Sequence, residues 1–266
     1  MNRVDMHVHS RFSFDGKSDM LEECKVAMDK GLSGICFTDH FSVDPLDVSY
    51  GVLDYDAYRK EANACQTIYE GKLQIGCGLE ISEPHLTKYV QDLQQALRGM
   101  RLDFIIGSVH NINSCKLRVF MVGKSKDEIY RAYFREVLKM VEMADIDVLG
   151  HLDLAKRYAF DVVGNYSFAD YEDEISAILH CLVQRNIGLE INTSGWRNSV
   201  NESYPSVDVL KLYRSLGGKY ITLASDAHRA EDVAAGFSYA VRTLRKIGFE
   251  EGCFYTARQV QTYKLH

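Results

Sequence analysis

The fold is decided by the first apolar stretch of the chain, Val4-Asp5-Met6-His7-Val8-His9. Its β-branched and apolar residues predict a β-strand over Val4–Val8. Side chains two residues apart in a strand point to the same side, so His7 and His9 present their imidazoles together. Two imidazoles at the end of one strand provide half of a tetrahedral metal site.

Six further strand candidates alternate with helical patterns along the chain. The strands are predicted at Gly34–Thr38, Leu73–Ile81, Phe104–Val109, Val148–Leu152, Gly188–Thr193 and Tyr220–Ser225, several of them near-continuous apolar runs typical of strands covered on both faces. Helices are predicted near residues 19–30, 55–70, 86–98, 125–144, 168–186, 206–216 and 231–247, and the tail at 249–266 is ambiguous between strand and helix. Helix boundaries are marked by Asp19, a capping box at Ser125, Gly31 as a C-cap and Ser206 as an N-cap.

Repeated β/α alternation without a break in composition indicates an α/β protein with a parallel sheet and helical crossovers. In a chain of 266 residues, this favours a distorted seven-stranded (β/α)7 barrel over an open doubly wound sheet. We expect residues 1–266 to form a single domain.

Charge and cysteine content limit the possible partners and the compartment. There are 37 acidic against 31 basic residues, a formal charge of −6, which argues against binding to a nucleic-acid backbone. No apolar run of about 18 residues predicts a membrane span, and the N-terminus lacks the apolar run of a signal peptide. Seven cysteines without a CxxC motif argue against a disulfide framework or a cysteine-based zinc site. A cytoplasmic location is therefore expected, whereas the oligomeric state stays open.

Potential metal ligands occur at or just beyond the predicted strand ends. They are His7 and His9, His40, Glu80, His110, His151, and the pair Asp226 and His228. Parallel strands end at the same face of a barrel, so these side chains should converge there. Imidazoles with a few carboxylates bind zinc, manganese or iron, and more than four such ligands predict more than one ion.

Other polar residues near the strand ends have expected supporting roles. Glu80 can bridge two ions, and Asp15, in the loop after the first strand, can complete a third site. Asp39 points away from its neighbour His40 and is expected to accept a hydrogen bond from a ligating imidazole. The remaining histidines, His85, His180 and His266, are interpreted as ordinary structural or surface residues.

In their order along the chain, these motifs resemble the polymerase-and-histidinol-phosphatase (PHP) family of metal-dependent phosphoesterases. The motifs are Met6-His7-Val8-His9-Ser10, Thr38-Asp39-His40, Gly78-Leu79-Glu80, Gly107-Ser108-Val109-His110, Gly150-His151-Leu152-Asp153 and Ser225-Asp226-Ala227-His228. The resemblance implies a distorted seven-stranded barrel with three divalent ions, zinc, manganese or iron. It implies His7, His9, Glu80 and Asp226 on the first ion, Glu80, His110 and His151 on the second, and Asp15, His40 and His228 on the third. Some relatives carry histidine at the position of Asp15, so the third site can differ in metal preference.

Within this family, three segments resemble the branch that hydrolyses L-histidinol phosphate in histidine biosynthesis. They are Ile191-Asn192-Thr193-Ser194-Gly195-Trp196-Arg197, Glu202-Ser203-Tyr204-Pro205 and Lys156-Arg157, with Trp196 standing where an aliphatic residue is frequent. The resemblance implies a phosphomonoesterase that releases L-histidinol and phosphate. The nucleophile would be a hydroxide bridging two metal ions.

Roles in substrate binding and proton transfer follow from these positions. Arg157 and Arg197 are expected to clamp phosphate with forked donors, together with Asn192. Asp226 and His228 are counted among the catalytic residues, and either Asp153 or a metal-bound water is expected to protonate the leaving group. The acidic residues between Phe41 and Tyr55 either face a cationic, flat group or form a solvated loop.

Two alternatives remain from the sequence. One is a PHP-type phosphoesterase for another small phosphate ester, with a nuclease disfavoured by the acidic charge. The other is a non-catalytic metal-binding domain, disfavoured by the complete set of potential ligands.

Overall fold

The structure, a computed structural model, describes residues 3–265 as a closed parallel barrel with helices around it. In chain order, the described strands are β1 (Val4–Val8), β2 (Gly34–Phe37), β3 (His40–Phe41), β4 (Gln74–Ser82), β5 (Phe104–Ser108), β6 (Asn111–Ile112), β7 (Cys115–Lys116), β8 (Val148–Leu149), β9 (Gly188–Asn192), β10 (Ile221–Ala224), β11 (Glu251–Thr256) and β12 (Gln259–Lys264). The barrel order is β1-β2-β4-β5-β8-β9-β10, with β3 also paired to β4 and every pair parallel. The predicted (β/α)7 barrel is therefore confirmed.

The outer layer of the barrel consists of the crossover helices. They are α1 (Met20–Asp29), α2 (Tyr55–Ile68), α3 (Val90–Leu97), α4 (Leu117–Phe120), α5 (Lys126–Met143), α6 (Ala155–Val163), α7 (Glu172–Arg185), α8 (Val207–Ser215) and α9 (Phe237–Ile247). Helices and strands from the whole described chain share one contiguous hydrophobic core. No helix within residues 3–265 is long and apolar enough to cross a membrane.

Local sequence signals explain most helix boundaries. The Asp19 carboxylate accepts the N–H of Glu22 at 2.9 Å, and Ser125 forms the predicted capping box. Gly31 has a φ of +72°, as expected for the residue that ends α1. Ser206 precedes α8, but its side chain makes no capping hydrogen bond, which corrects the prediction for this residue.

The sequence did not assign the short strands β3, β6 and β7, helices α4 and α6, or the β11–β12 hairpin. Helix α6 begins at Ala155, and the preceding Leu154 provides no side-chain cap, so no start signal marks it. The ambiguous tail forms the β11–β12 hairpin, whose turn residues Ala257 and Arg258 have φ values of +47° and +63°. The Arg258 guanidinium reaches Asp147 at 2.7 Å and Asp145 at 2.9 Å, which fastens the turn to the segment just before β8.

The seam between β10 and β1 closes the barrel with few backbone hydrogen bonds. Two bonds of 2.8 and 2.9 Å join the residues at and just beyond the ends of these strands. The Asp5 carboxylate adds to them by accepting the N–H and O–H of Ser225 at 2.9 and 2.5 Å and the N–H of Ala234 at 2.9 Å. A buried side chain of β1 thus supplements the strand pairing at this seam.

A buried carboxyl group on α1 should make stability depend on pH. Neither oxygen of Glu23 has a hydrogen-bond partner among the described residues. Burial, followed by the nearby charges of Asp39 and Asp5, raises its pKa to about 10. The unfolded chain has a Glu pKa of about 4.3, so above that pH it loses a proton that the folded protein retains. The free energy of unfolding therefore falls as pH rises from about 4.3 towards 10.

We predict that Glu23→Gln stabilises the protein, with an advantage that grows by on the order of 1 kcal/mol per pH unit. Chemical denaturation of both proteins between pH 6.5 and 8.5 measures this difference. Glu22→Gln, a change at an exposed position on the same helix, serves as the control and should show no such trend. An advantage of Glu23→Gln that is constant with pH would contradict the prediction.

Candidate metal centre

The potential ligands predicted at the strand ends lie together at one mouth of the barrel. His7 lies on β1, His40 on β3 and Glu80 on β4, and the others lie on the segments that follow β1, β5, β8 and β10. Asp15 lies in a tight loop, in which a Cβ on Gly16 would lie 1.8 Å from the Ser10 carbonyl oxygen. Glycine at this position lets the loop fold back onto the end of β1.

Glu80 lies at the middle of the cluster and is almost fully buried. Its two carboxylate oxygens lie within 3.3 Å of ring nitrogens from five histidines. These are His7 and His9 (both 3.3 Å), His40 (2.9 Å), His110 (3.3 Å) and His151 (2.8 Å). Burial alone would raise the pKa of Glu80, but the surrounding imidazoles reverse this effect and hold its pKa well below the usual range.

Asp226 and Asp15 provide the other carboxylates of the centre. One Asp226 oxygen lies 3.5 Å from His9 Nε2 and 3.6 Å from His228 Nδ1. Asp15 lies 3.2 Å from His228 Nε2 and 3.7 Å from His40 Nε2. Asp226 has a φ of +52°, a strained backbone for a residue other than glycine. This conformation lies at the turn from which Asp226 and His228 both reach the cluster.

The hydrogen bonds around His7 and His9 show that these residues fit a cation. His7 Nδ1 donates to Glu190 Oε2 at 2.8 Å, and in the neutral imidazole this leaves a lone pair on Nε2. His9 Nδ1 donates to Ser13 Oγ at 3.0 Å, because this hydroxyl itself donates to Asp39 at 2.8 Å. The two Nε2 atoms face each other at 2.9 Å, and in neutral rings with both Nδ1 atoms protonated they would present two lone pairs to each other. Such a pair repels unless a cation lies beside both, so the arrangement fits a bound metal ion.

Four overlapping groups of three residues can each surround a metal ion. In each group, one ligand atom per residue lies within 4.8 Å of the others. The groups are His7, His9 and Asp226; His7, Glu80 and His151; His40, Glu80 and His110; and His9, His40 and His228. Shared ligands of this kind are typical of a multinuclear centre, and a set of imidazoles and carboxylates suits zinc, manganese or iron.

Sequence reasoning missed Glu190, which supports two ligands of the centre. Besides accepting from His7, it accepts the backbone N–H of His151 at 3.0 Å and the side-chain amide of Asn192 at 2.8 Å. Its position two residues before Asn192, on the same face of β9, is the signal that could have found it. Asp39 was expected to accept directly from an imidazole, but it reaches His9 only through Ser13.

The three residues predicted to bind substrate lie in different surroundings. Arg157 and Arg197 both line the cavity above the metal ligands. Arg197 also donates to the backbone oxygens of Ser225 at 2.8 Å and Asp226 at 3.1 Å. Asn192 is fully buried, and its amide holds Glu190 and lies 3.3 Å from an Asp226 oxygen. Its position therefore favours support of the ligands over contact with substrate.

Asp153, the predicted proton donor, lies outside the group of residues lining the cavity. It is fully buried and accepts hydrogen bonds from Tyr166 at 2.7 Å, from Lys156 at 3.0 Å and from the N–H of Ser206 at 3.1 Å. Buried Lys156 also donates to the backbone oxygen of Ser203 at 2.8 Å. This network joins α6 to the segment that precedes α8, a structural function that sequence reasoning did not anticipate.

The cavity has a volume of about 610 Å³ and combines charged with apolar walls. Its cationic side chains are Lys116, Arg118, Arg157 and Arg197, and its apolar side chains include Phe14, Val48, Leu117, Val119 and Leu154. The Phe14 ring stacks on His40 with a centroid distance of 5.1 Å. A cavity of this size suits a small anionic molecule with an apolar part.

The histidines interpreted as ordinary residues lie away from the centre where the structure describes them. His85 Nε2 contacts Glu136 at 2.8 Å in a buried pair, and His180 is exposed on α7. His266 lies outside the described residues.

The fold and the site together define a parallel β/α barrel with a multinuclear metal centre at the carboxyl ends of its strands. The model of the PHP domain family matches residues 5–194. The chain therefore belongs to the PHP family.

Individual relatives are similar over nearly the whole chain. The histidinol-phosphatase of Lactococcus lactis is 30% identical over 99% of this chain and 98% of its own length. A probable histidinol-phosphatase of Clostridium acetobutylicum is 31% identical over 93% of this chain and 96% of its own length. The crystal structure of the Lactococcus lactis histidinol phosphate phosphatase, in complex with zinc, L-histidinol and phosphate, superposes with a TM-score of 0.89 at 28% identity, covering 98% of this chain and 99% of the other.

We predict that Glu190→Ala weakens metal binding by about 10- to 100-fold, as is usual when the partner of a ligating histidine is lost. Metal content by elemental analysis, after dialysis against increasing chelator, measures this loss. Glu190→Gln keeps an acceptor for the His7 N–H and should lose less. Unchanged metal retention in Glu190→Ala would show that the 2.8 Å contact to His7 does not support the centre.

Proposed function

We propose that this chain hydrolyses L-histidinol phosphate to L-histidinol and phosphate, as a metal-dependent phosphomonoesterase of histidine biosynthesis. The observation that carries the proposal is a shared ligand centre that opens into a cavity whose lining includes Arg157 and Arg197. It is supported by a relative of nearly identical length and fold whose structure contains zinc, L-histidinol and phosphate. A PHP-type phosphoesterase for another small phosphate ester is the second candidate.

We assign the nine expected ligands to three metal ions, as the family resemblance implies. His7, His9, Glu80 and Asp226 would hold one ion, Glu80, His110 and His151 a second, and Asp15, His40 and His228 a third. The contacts of Glu80 with both His7 and His151 support its place between two ions. Divalent ions at these sites supply positive charge for the phosphate oxygens and make water nucleophilic at neutral pH.

The chain's own side chains bind and orient the ester. Arg157 and Arg197 can donate paired hydrogen bonds to the phosphoryl oxygens, and the backbone contacts of Arg197 with Ser225 and Asp226 restrict its position. Glu190 and Ser13 keep the Nδ1 protons of His7 and His9 in place, so that both Nε2 atoms stay free to ligate.

Asp153 is proposed here as a structural residue rather than a proton donor. Its Oδ2 contacts Lys156, Tyr166 and the N–H of Ser206, its Oδ1 has no hydrogen-bond partner among the described residues, and the residue does not line the cavity. The proton for the leaving alkoxide then has to come from water in the cavity.

The remaining proposals concern the chain as a whole. A hydrophobic core with contributions from β1 to β12 supports one domain over residues 1–266, although the family model ends at residue 194. Seven cysteine thiols, five of them buried, support a reducing, cytoplasmic location. The net charge of −6 supports a small phosphate ester over a nucleic acid as substrate.

Phosphate release by the purified protein, loaded with manganese or zinc, tests the proposed activity. We expect kcat/KM for L-histidinol phosphate to exceed that for 4-nitrophenyl phosphate or an oligonucleotide by about 100-fold or more, since the substrate's remote groups contribute binding in the transition state. Equal turnover of several unrelated monoesters would favour the second candidate. No turnover of L-histidinol phosphate would refute the proposal.

We also predict that His110→Ala lowers kcat by at least about 100-fold and reduces metal content, while the fold persists. His110 Nε2 lies 3.3 Å from Glu80 but is more exposed than the central histidines, so its removal disturbs the core little. Steady-state kinetics, elemental analysis and circular dichroism give the three readouts. His180→Ala, at an exposed position on α7, is the matched control and should behave as wild type. Full activity of His110→Ala would contradict the multinuclear assignment.

A further inference from the structure

Two acidic side chains of the described cavity wall lie outside the proposed ligand set, Asp47 and Asp232. Asp232 lies 3.5 Å from the Arg197 guanidinium and is therefore paired. Within residues 3–265, no lysine, arginine or histidine nitrogen is recorded within 4.0 Å of the Asp47 carboxylate. Asp47 is thus an acid on the cavity wall without a counter-ion from the described chain.

Neutral donors fix the Asp47 carboxylate in place. One oxygen accepts the side-chain amide of Asn111 at 2.7 Å. The other accepts the N–H and O–H of Ser49 at 2.8 and 2.5 Å. Asn111 is held in turn by Glu83, which accepts its backbone N–H at 2.8 Å and its side-chain amide at 2.9 Å. A half-buried carboxylate held by these neutral donors is preorganised to bind a cation.

Asp47 and Arg197 lie on different parts of the cavity wall. Asn111, the partner of Asp47, directly follows the ligand His110, whereas Arg197 donates to the backbone oxygen of Asp226. The wall therefore offers forked donors near Asp226 and a free negative charge near His110. A molecule that pairs with both the arginine donors and the Asp47 carboxylate has to carry a phosphate and, a short distance away, a cationic group.

We infer that Asp47 binds the ammonium group of the substrate and selects phosphate esters of amino alcohols over phosphate esters that lack the amino group. The inference rests on the proposed function and deepens it by assigning a residue to substrate selection. In L-histidinol phosphate, the ammonium lies on the carbon next to the ester methylene. An alkylammonium stays protonated at neutral pH, whereas an imidazole with a pKa near 6.5 is largely neutral, so the ammonium is the group that Asp47 can pair with.

The test compares two substrates that differ only in the amino group. L-Histidinol phosphate and its desamino analogue, 3-(imidazol-4-yl)propyl phosphate, are assayed with wild type and Asp47→Asn. The wild type should prefer the amino substrate. Asp47→Asn should lower kcat/KM for L-histidinol phosphate by about 10- to 100-fold, mainly through KM, since a hydrogen bond to a charged group is lost. Its kcat/KM for the desamino analogue should stay within about threefold of wild type.

Asp44→Asn provides the matched control, because Asp44 lies in the same loop but outside the cavity lining. Its carboxylate holds Tyr89 and Ser114 at 3.0 and 2.7 Å, so the substitution disturbs the loop without removing the charge of Asp47. This variant should change both substrates by the same factor. If Asp47→Asn also changes both equally, or if the wild type shows no preference, the inference is wrong. If the wild type does not hydrolyse L-histidinol phosphate at all, the proposed function fails instead.

Discussion

The side-chain cluster at the mouth of the barrel depends on one buried carboxylate, Glu80, and on the five imidazoles around it. A charged group in the interior is costly unless it is paired, and imidazole lone pairs that face one another repel. A cation at the centre removes both costs, because it neutralises Glu80 and accepts the lone pairs of His7 and His9. The barrel is the scaffold that makes this cluster possible, because seven parallel strands deliver side chains to one point from different parts of the chain.

The seam of the barrel and the metal centre are built from the same residues. The backbone of β1 at His7 and His9 bonds to the turn after β10, with N···O distances of 2.9 and 2.8 Å. Asp226, in that turn, has the left-handed conformation that a non-glycine residue adopts only at a cost. Potential ligands therefore lie on both sides of the seam, His7 and His9 on the β1 side and Asp226 on the β10 side. A metal ion held between them would add to the closure of the barrel.

The sequence was sufficient for the fold and for the convergence of the potential metal ligands, because both follow from short-range patterns. Strand periodicity places His7 and His9 on the same side of β1. Because parallel strands end at the same face of a barrel, the side chains at their ends are predicted to converge there. Glu190 was missed because an acid inside an apolar strand gives no such signal until its partner His7 is known. Asn192 was assigned to substrate binding, and Asp153 was one of two candidate proton donors, because both lie near strand ends; the structure buries both residues in long-range contacts. Helix α6 lacked a capping residue, and the terminal hairpin had no alternating pattern.

Strand ends and loops contribute different parts of the site, and the contact between Asn111 and Asp47 connects the two parts. The strand ends position the potential metal ligands, an arrangement that a whole family can share. The loops form the cavity wall that would contact the part of the substrate beyond its phosphate. In this chain the position of the loop before α2 depends on the segment after β5, because Asp47 accepts a hydrogen bond from Asn111, the residue that follows His110. Glu83 orders that segment from a strained backbone with a φ of +45°. A substitution of Asn111 would therefore affect both the segment that carries His110 and the Asp47 carboxylate, whereas a substitution of Asp47 leaves the contacts of Asn111 with Glu83 in place.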